Sequence, residues 1–215
     1  MNLNKYIEHT LLKQDATKAE ITKLLDEAIQ FDFLGVCVNP CNVKYAKEYL
    51  KNSAVKVVTV IGFPLGQNTK EVKILETIDA IKNGADEIDM VINVGLLKDK
   101  AYDAIVDEIS AIKGACQGHN LKVILETDLL TQNEIKKACE LCIEAKADLV
   151  KTSTGFVKNG VGAKAEDVAL MFNTVKDAGM QVKASGGIRD KEAALKMIEA
   201  GAVRLGTSSG VKIVS

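Results

Sequence analysis

Four short stretches share one cadence: "NGADEIDM" (residues 83–90), "AKADLVK" (145–151), "AGMQVKA" (178–184) and "AGAVRLG" (200–206). In each, a small residue closes a helical run, the chain turns within a few residues, and a β-rich apolar run begins. Repeated β-α joints of this kind build a parallel sheet. Working outward, eight β-rich runs appear: "YIEHT" (6–10), "LGVCVN" (34–39), "VKVVTVIG" (55–62), "EIDMVIN" (87–93), "KVILET" (122–127), "LVKTST" (149–154), "QVKASG" (181–186) and "VRLGTS" (203–208). The stretches between them carry helix signals. Thr17 and Glu20 form a capping box before Ile21, Leu24, Leu25, Ala28 and Ile29, and Thr131 and Glu134 repeat it before Ile135. Asn39 and Pro40 read as N-cap and first residue of a helix. Gly84, Gly179 and Gly201 each follow a helical run, as a C-terminal cap glycine does. Eight units of roughly 25–35 residues predict a (β/α)8 barrel in the α/β class, one domain over residues 1–215. A doubly wound open sheet is the alternative. The first strand-helix joint has no G-x-G-x-x-G, and no loop resembles a P-loop.

Nearly half of the 215 residues are apolar and the net charge is −1, so no general attraction to nucleic acid or a membrane is expected. No apolar run approaches the roughly 20 residues of a spanning helix, and "MNLNKYIEHT" has no signal-peptide core; a cytoplasmic protein is the expectation. The five cysteines are scattered. Cys139 and Cys142 form a C-x-x-C, but they lie on the apolar stripe Ile135, Cys139, Cys142, Ile143 and have no second ligand pair. They read as core residues. Cys37 and Cys41 read the same way, with Cys37 a candidate to line a cavity.

In a barrel, reactive groups collect at the C-terminal ends of the strands. Those ends are polar here. Two of them carry a lysine inside a core strand, Lys151 in "LVKTSTG" and Lys183 in "QVKASGG". Lys151 shares a face with Ser153, and Lys183 with Ser185. Each lysine alone is readable as a snorkelling side chain with a carboxylate partner. Two in matching contexts on successive strands point to amine chemistry. Ammonium groups about 6 Å apart repel by roughly 3 kcal/mol at an effective dielectric near 20, and burial acts in the same direction. One lysine is then expected to be neutral enough to form a Schiff base with a carbonyl substrate. Asp89, a charge inside the apolar strand "EIDMVIN", is the candidate proton carrier and the candidate partner of the lysines. Gly186, Gly187, Gly206, Ser208 and Ser209 follow strands seven and eight, where barrels commonly bind phosphate.

In this order and spacing, "IGFPLG", "DEIDMVINVG", "VKTSTGF", "VKASGGIR" and "LGTSSG" resemble the deoxyribose-phosphate aldolase family over nearly the whole chain. The resemblance implies a cytosolic class I aldolase on a (β/α)8 barrel, without metal or other cofactor. Such an enzyme cleaves 2-deoxy-D-ribose 5-phosphate to D-glyceraldehyde 3-phosphate and acetaldehyde in deoxynucleoside catabolism. It implies Lys151 as the Schiff-base lysine, Lys183 as the lysine that tunes it, and Asp89 in a water-assisted proton relay. It also implies Gly155, Gly186, Gly187, Ser208 and Ser209 around the substrate phosphate, and a homodimer. Glu8 stands where similar sequences carry Asp. The chain ends at "GVKIVS", so no tail-assisted proton transfer is expected. Two rivals remain at this level: another Schiff-base barrel acting on a different phospho-sugar, and a phospho-sugar-binding regulatory barrel that has lost its chemistry.

Overall fold

A computed structural model describes residues 2–215. Eight parallel strands close into a barrel in chain order. They are β1 (Ile7–Leu11), β2 (Gly35–Val38), β3 (Lys56–Ile61), β4 (Glu87–Val91), β5 (Asn120–Ile124), β6 (Leu149–Lys151), β7 (Gln181–Ser185) and β8 (Ala202–Thr207). Around them run α1 (Lys18–Gln30), α2 (Val43–Tyr49), α3 (Lys70–Lys82), α4 (Val94–Lys98), α5 (Tyr102–Ala115), α6 (Gln132–Glu144), α7 (Ala165–Val175), α8 (Lys191–Glu199) and α9 (Gly210–Val214). The closed barrel settles the choice against an open sheet, and all eight expected strands are present.

Local signals account for most boundaries. Both capping boxes form: Thr17 and Thr131 accept the amide N–H three residues on, and Glu20 and Glu134 reach back to the cap N–H. Gly179 and Gly201 close their helical runs at φ 75° and 110°, where a side chain is disfavoured. Asn39 departs from expectation. Its side chain makes no cap bond, and a 3-10 turn over Pro40–Asn42 precedes α2. Cys139 and Cys142 are fully buried in the main core, as expected, whereas Cys41 is exposed and belongs to no core.

Strand alternation sorts the side chains into two layers. Ile7, Val36, Val57, Ile61, Ile88, Met90, Leu121, Val123, Val150, Val182 and Leu205 pack outward against the helices in one large apolar cluster. The barrel interior is divided. On one side Leu12, Cys37, Val58 and Val60 form a small separate apolar cluster with Phe63 against it. On the other side lie Glu8, Glu87, Asp89, Lys122, Lys151 and Lys183, each at most 4% exposed. At the N-terminal end of this polar side, Glu87 lies 2.6 Å from both Lys56 and Lys122, with Arg204 3.7 Å away. Burial pushes the Glu87 carboxyl up, but Lys122 and Lys56 outweigh it and pull it down to about 2.

A carboxyl whose pKa is depressed by folding contributes stability above its unfolded pKa and loses it as pH falls through the folded value. Glu87→Gln is therefore expected to cost about 2–3 kcal/mol of unfolding free energy near pH 7, allowing for solvent at the rim. More than half of that difference from wild type is expected to vanish by about pH 3. Urea titrations of both proteins at the two pH values check it; a pH-independent gap would mean that the carboxylate charge is not what stabilises.

Candidate active site

Asp89 is fully buried in the middle of β4 and meets three ammonium groups. Lys122 Nζ donates to Oδ1 at 3.0 Å, and Lys151 Nζ and Lys183 Nζ each donate to Oδ2 at 2.7 Å. The strand register makes this possible. Asp89 pairs with Lys122 across β4 and β5, and Lys151 pairs with Lys183 across β6 and β7. Burial pushes the Asp89 carboxyl up, but Lys122, Lys151 and Lys183 together hold it well below the usual carboxylate range. Asp89 is therefore an anion.

Glu8 completes the cluster from β1. Its Oε2 accepts from Lys183, and its Oε1 lies 3.5 Å from Lys122. The longer glutamate arm thus reaches two lysines at once. Burial opposes the charge on Lys183, yet Asp89 and Glu8 overcompensate and hold the ammonium above its ordinary value. Lys183 is thus fixed in its charged form. Gly206 on β8 gives it room: a Cβ there would stand 3.0 Å from Lys183 Cε. That close packing, rather than anion contact alone, accounts for the glycine at 206.

Lys122 was not singled out from the sequence. The run "KVILET" offers a lysine at what reads as a strand start, the ordinary place for a solvated one. The structure begins β5 two residues earlier, at Asn120, and Lys122 is fully buried. The detectable signal was its alternation with Ile124 on the inward face.

A cavity of about 380 Å³ opens at the C-terminal ends of the strands. Its walls include Thr10, Lys151, Ser153, Gly155, Gly186, Gly187, Gly206, Ser208 and Ser209. Among the three lysines around Asp89, only Lys151 lines it. All the residues expected at a phosphate are on this wall. Gly155, Gly186 and Gly187 adopt φ values of 82°, 83° and 74°, turns that favour glycine. The Ser209 N–H is already donated to Thr207 Oγ1 at 2.9 Å, so Ser209 offers its hydroxyl. Lys13 and Arg189, not singled out from the sequence, also line the cavity and are exposed; they bring cationic charge to its edge. Phe156 stands at the mouth with its ring edge-on to Phe63, centroids 5.1 Å apart. A second cavity of similar volume lies at the N-terminal ends of β5 to β7, lined by Asn120, Lys146, Asp148 and Gln181 among others; no comparable cluster of buried ionised groups opens into it.

The family model of DeoC/LacD aldolases matches residues 4–215. The chain belongs to that family. It is 58% identical to the deoxyribose-phosphate aldolase of Finegoldia magna over 214 residues, which is 100% of this chain and 99% of the relative. It is 57% identical to deoxyribose-phosphate aldolase 1 of Mesoplasma florum, covering 100% of this chain and 96% of that one. Among solved structures, the deoxyribose phosphate aldolase of Aeropyrum pernix superposes with a TM-score of 0.91 at 35% identity, covering 99% of this chain and 89% of that one. The chain is thus a member of an enzyme family of aldolases, on the barrel those relatives share.

Lys122→Met removes one cation from between Asp89, Glu87 and Glu8 while keeping a similar volume. Breaking a buried ion pair on one side typically costs about 3–5 kcal/mol. A loss in that range is expected in equilibrium unfolding at neutral pH, against a change below about 1 kcal/mol for the exposed control Lys196→Met. A Lys122 variant as stable as wild type would remove it from the charge balance that holds Asp89 ionised.

Proposed function

We propose that the protein cleaves 2-deoxy-D-ribose 5-phosphate reversibly to D-glyceraldehyde 3-phosphate and acetaldehyde, through a Schiff base on Lys151, in the breakdown of deoxyribose phosphate. The observation that carries this reading is the division of labour among the buried lysines. Lys151 alone touches the cavity, while the carboxylate beside it is shared with two lysines that do not.

In this reading the Lys151 amine attacks the C1 aldehyde of the open-chain sugar, and loss of water gives a protonated imine. The C3 hydroxyl gives up its proton as the C2–C3 bond breaks. The bonding electrons flow into the imine and leave an enamine on Lys151, while C3 leaves as the aldehyde of glyceraldehyde 3-phosphate. Protonation at C2 and hydrolysis release acetaldehyde and restore the amine. Asp89, whose Oδ2 accepts from Lys151 Nζ at 2.7 Å, takes and returns protons in this reading with the assistance of a water. Lys183 keeps a fixed positive charge beside it, which opposes a second charge on Lys151. The phosphate lies at the far wall, against Gly155, Gly186, Gly187, Ser208 and Ser209. Backbone N–H groups at glycine turns and serine hydroxyls are suited to a bound anion.

The same reading gives the chain a phosphorylated sugar as its small-molecule partner and the cytoplasm as its compartment. The odd set of free thiols fits a reducing environment, and among the described residues no helix is long and apolar enough to cross a membrane. A homodimer is the proposed assembly. Val72, Leu75 and Ile78 expose an apolar stripe along α3, with Leu65 also exposed in the preceding loop, and a patch of that kind marks a contact surface.

Lys151→Arg keeps the charge but cannot form the imine at neutral pH. It is expected to abolish turnover and to abolish the borohydride-trapped acetaldehyde adduct that wild type forms at Lys151, read by peptide mass spectrometry. More than trace retro-aldol activity in this variant would overturn the assignment. Ser208→Asp puts a like charge beside the phosphate and is expected to weaken deoxyribose 5-phosphate binding by several kcal/mol while leaving acetaldehyde trapping at Lys151 nearly intact. Wild-type cleavage of the phosphorylated sugar by this variant would place the phosphate elsewhere.

A further inference from the structure

Residues 152–164 join β6 to α7 without a regular element. This segment starts at the reactive lysine, carries Gly155, and runs back against Gly186 and Gly187. Of its apolar side chains, Ala163 packs against the core while Phe156 and Val161 are exposed. Two carboxylates from the connection after β5 hold it at both ends.

Glu126 takes the near end. Its Oε1 accepts the Thr154 N–H at 3.1 Å and its Oε2 accepts the Thr154 hydroxyl, whose oxygen accepts the Phe156 N–H at 3.1 Å. Glu126 is 4% exposed and sits at φ 61°, a left-handed backbone that costs free energy in a residue with a side chain. Asp128 takes the far end. Its Oδ1 accepts from Val161 N at 3.3 Å and its Oδ2 from Gly162 N at 2.8 Å. Beyond it, Ala163 N donates to Gly186 O at 3.0 Å. The fit leaves no slack. A Cβ on Gly162 would stand 2.4 Å from the Gly186 carbonyl carbon, and one on Gly187 would stand 2.3 Å from Val161 O. A Cβ on Gly160 would stand 2.7 Å from Asp128 Oδ2.

Carboxylates this near an anion site would repel the ligand if their charge were free. Here their oxygens face N–H and O–H donors of the segment, so the charge is engaged before a substrate arrives. Both reach across the same gap, from the β5 connection to the β6 connection.

We propose that Glu126 and Asp128 are positioning residues for the phosphate end of the substrate: they fix residues 153–162 so that Gly155 stays beside Gly186 on the cavity wall that Gly187 shares. This rests on the phosphorylated-sugar reading above. Neither carboxylate is assigned contact with the substrate, so both act through the backbone they hold. Loosening either end therefore removes remote binding energy from phosphorylated substrates alone.

The test uses the full chain with Glu126→Gln and, separately, Asp128→Asn, each assayed on deoxyribose 5-phosphate and on unphosphorylated deoxyribose. Borohydride trapping of acetaldehyde at Lys151 is run in parallel. In either variant kcat/KM for the phosphorylated sugar is expected to fall about tenfold, mostly through KM. Cleavage of the unphosphorylated sugar is expected to change by no more than about twofold, with the Lys151 adduct at wild-type yield. Asp128 is only half-buried, so Asp128→Asn carries the test if Glu126→Gln does not fold. An unchanged phosphate preference in a variant that still forms the adduct would overturn the proposal, as would an equal loss on both sugars. Absence of the adduct in wild type would instead overturn the Schiff-base reading on which it rests.

Discussion

The carboxylate of Asp89, shared among three buried ammonium groups, is the constraint on which the rest of the interior depends. An ionised group in a dry core is stable only if its partners arrive with it. Here they arrive by register. Asp89 is opposite Lys122, and Lys151 is opposite Lys183. A slip of one residue in any of these strands would turn its charge out into the helix layer and leave the others unpaired. The ionic cluster therefore works as a register lock, whatever chemistry it also supports. It also explains Glu8, Glu87 and Arg204, which continue the alternation of charge toward the N-terminal end.

The two halves of the interior have different consequences. Leu12, Cys37, Val58, Val60 and Phe63 form a wall without ionised groups. Facing it, the ionic half is buried around Asp89 and opens at its two ends, to solvent at Lys56 and Arg204 and to the cavity at Lys151. A barrel packed in this way can hold several lysines and expose one. Lys151 is the last residue of β6, whereas its register partner Lys183 is followed by two more residues of β7, so the end of the short strand decides which lysine meets the cavity. The residues after it leave the sheet at once, so the amine stands at the boundary between packed barrel and open cavity.

Much of this was legible in the sequence, for reasons that can be named. The β-α cadence and the two capping boxes are local signals, and the elements they predict are present. Lys151, Lys183 and Asp89 were visible because a charge inside a β-rich apolar run contradicts its surroundings. Lys122 was hidden because it opens its β-rich run, where a lysine is unremarkable until its partner on the neighbouring strand is known. Glu87 and Arg204 were hidden for the same reason, as charges near the starts of their strands. Cys41 misled in the opposite direction: four residues after a buried cysteine, it lies in a 3-10 turn and faces solvent. The strand ends at 124 and 151 fell short of the β-rich runs. There the chain uses its Thr and Glu side chains to cap turns, as Glu126 does for Thr154.

That last substitution of roles separates the two parts of the site. Lys151 and Asp89 sit on strands, held by the ladder of a closed barrel. The cavity wall at Gly155, Gly186 and Gly187 is made of backbone at glycine turns, which has no ladder to hold it. Such backbone binds well only if something else removes its freedom, because ordering it on binding would cost about 1–2 kcal/mol per residue. In this protein the freedom is removed by close backbone contacts such as Ala163 N to Gly186 O and by carboxylates spent on amide groups. In the proposed reaction, pre-ordering that wall leaves the binding free energy of the distal phosphate available for placing the reacting bond over Lys151.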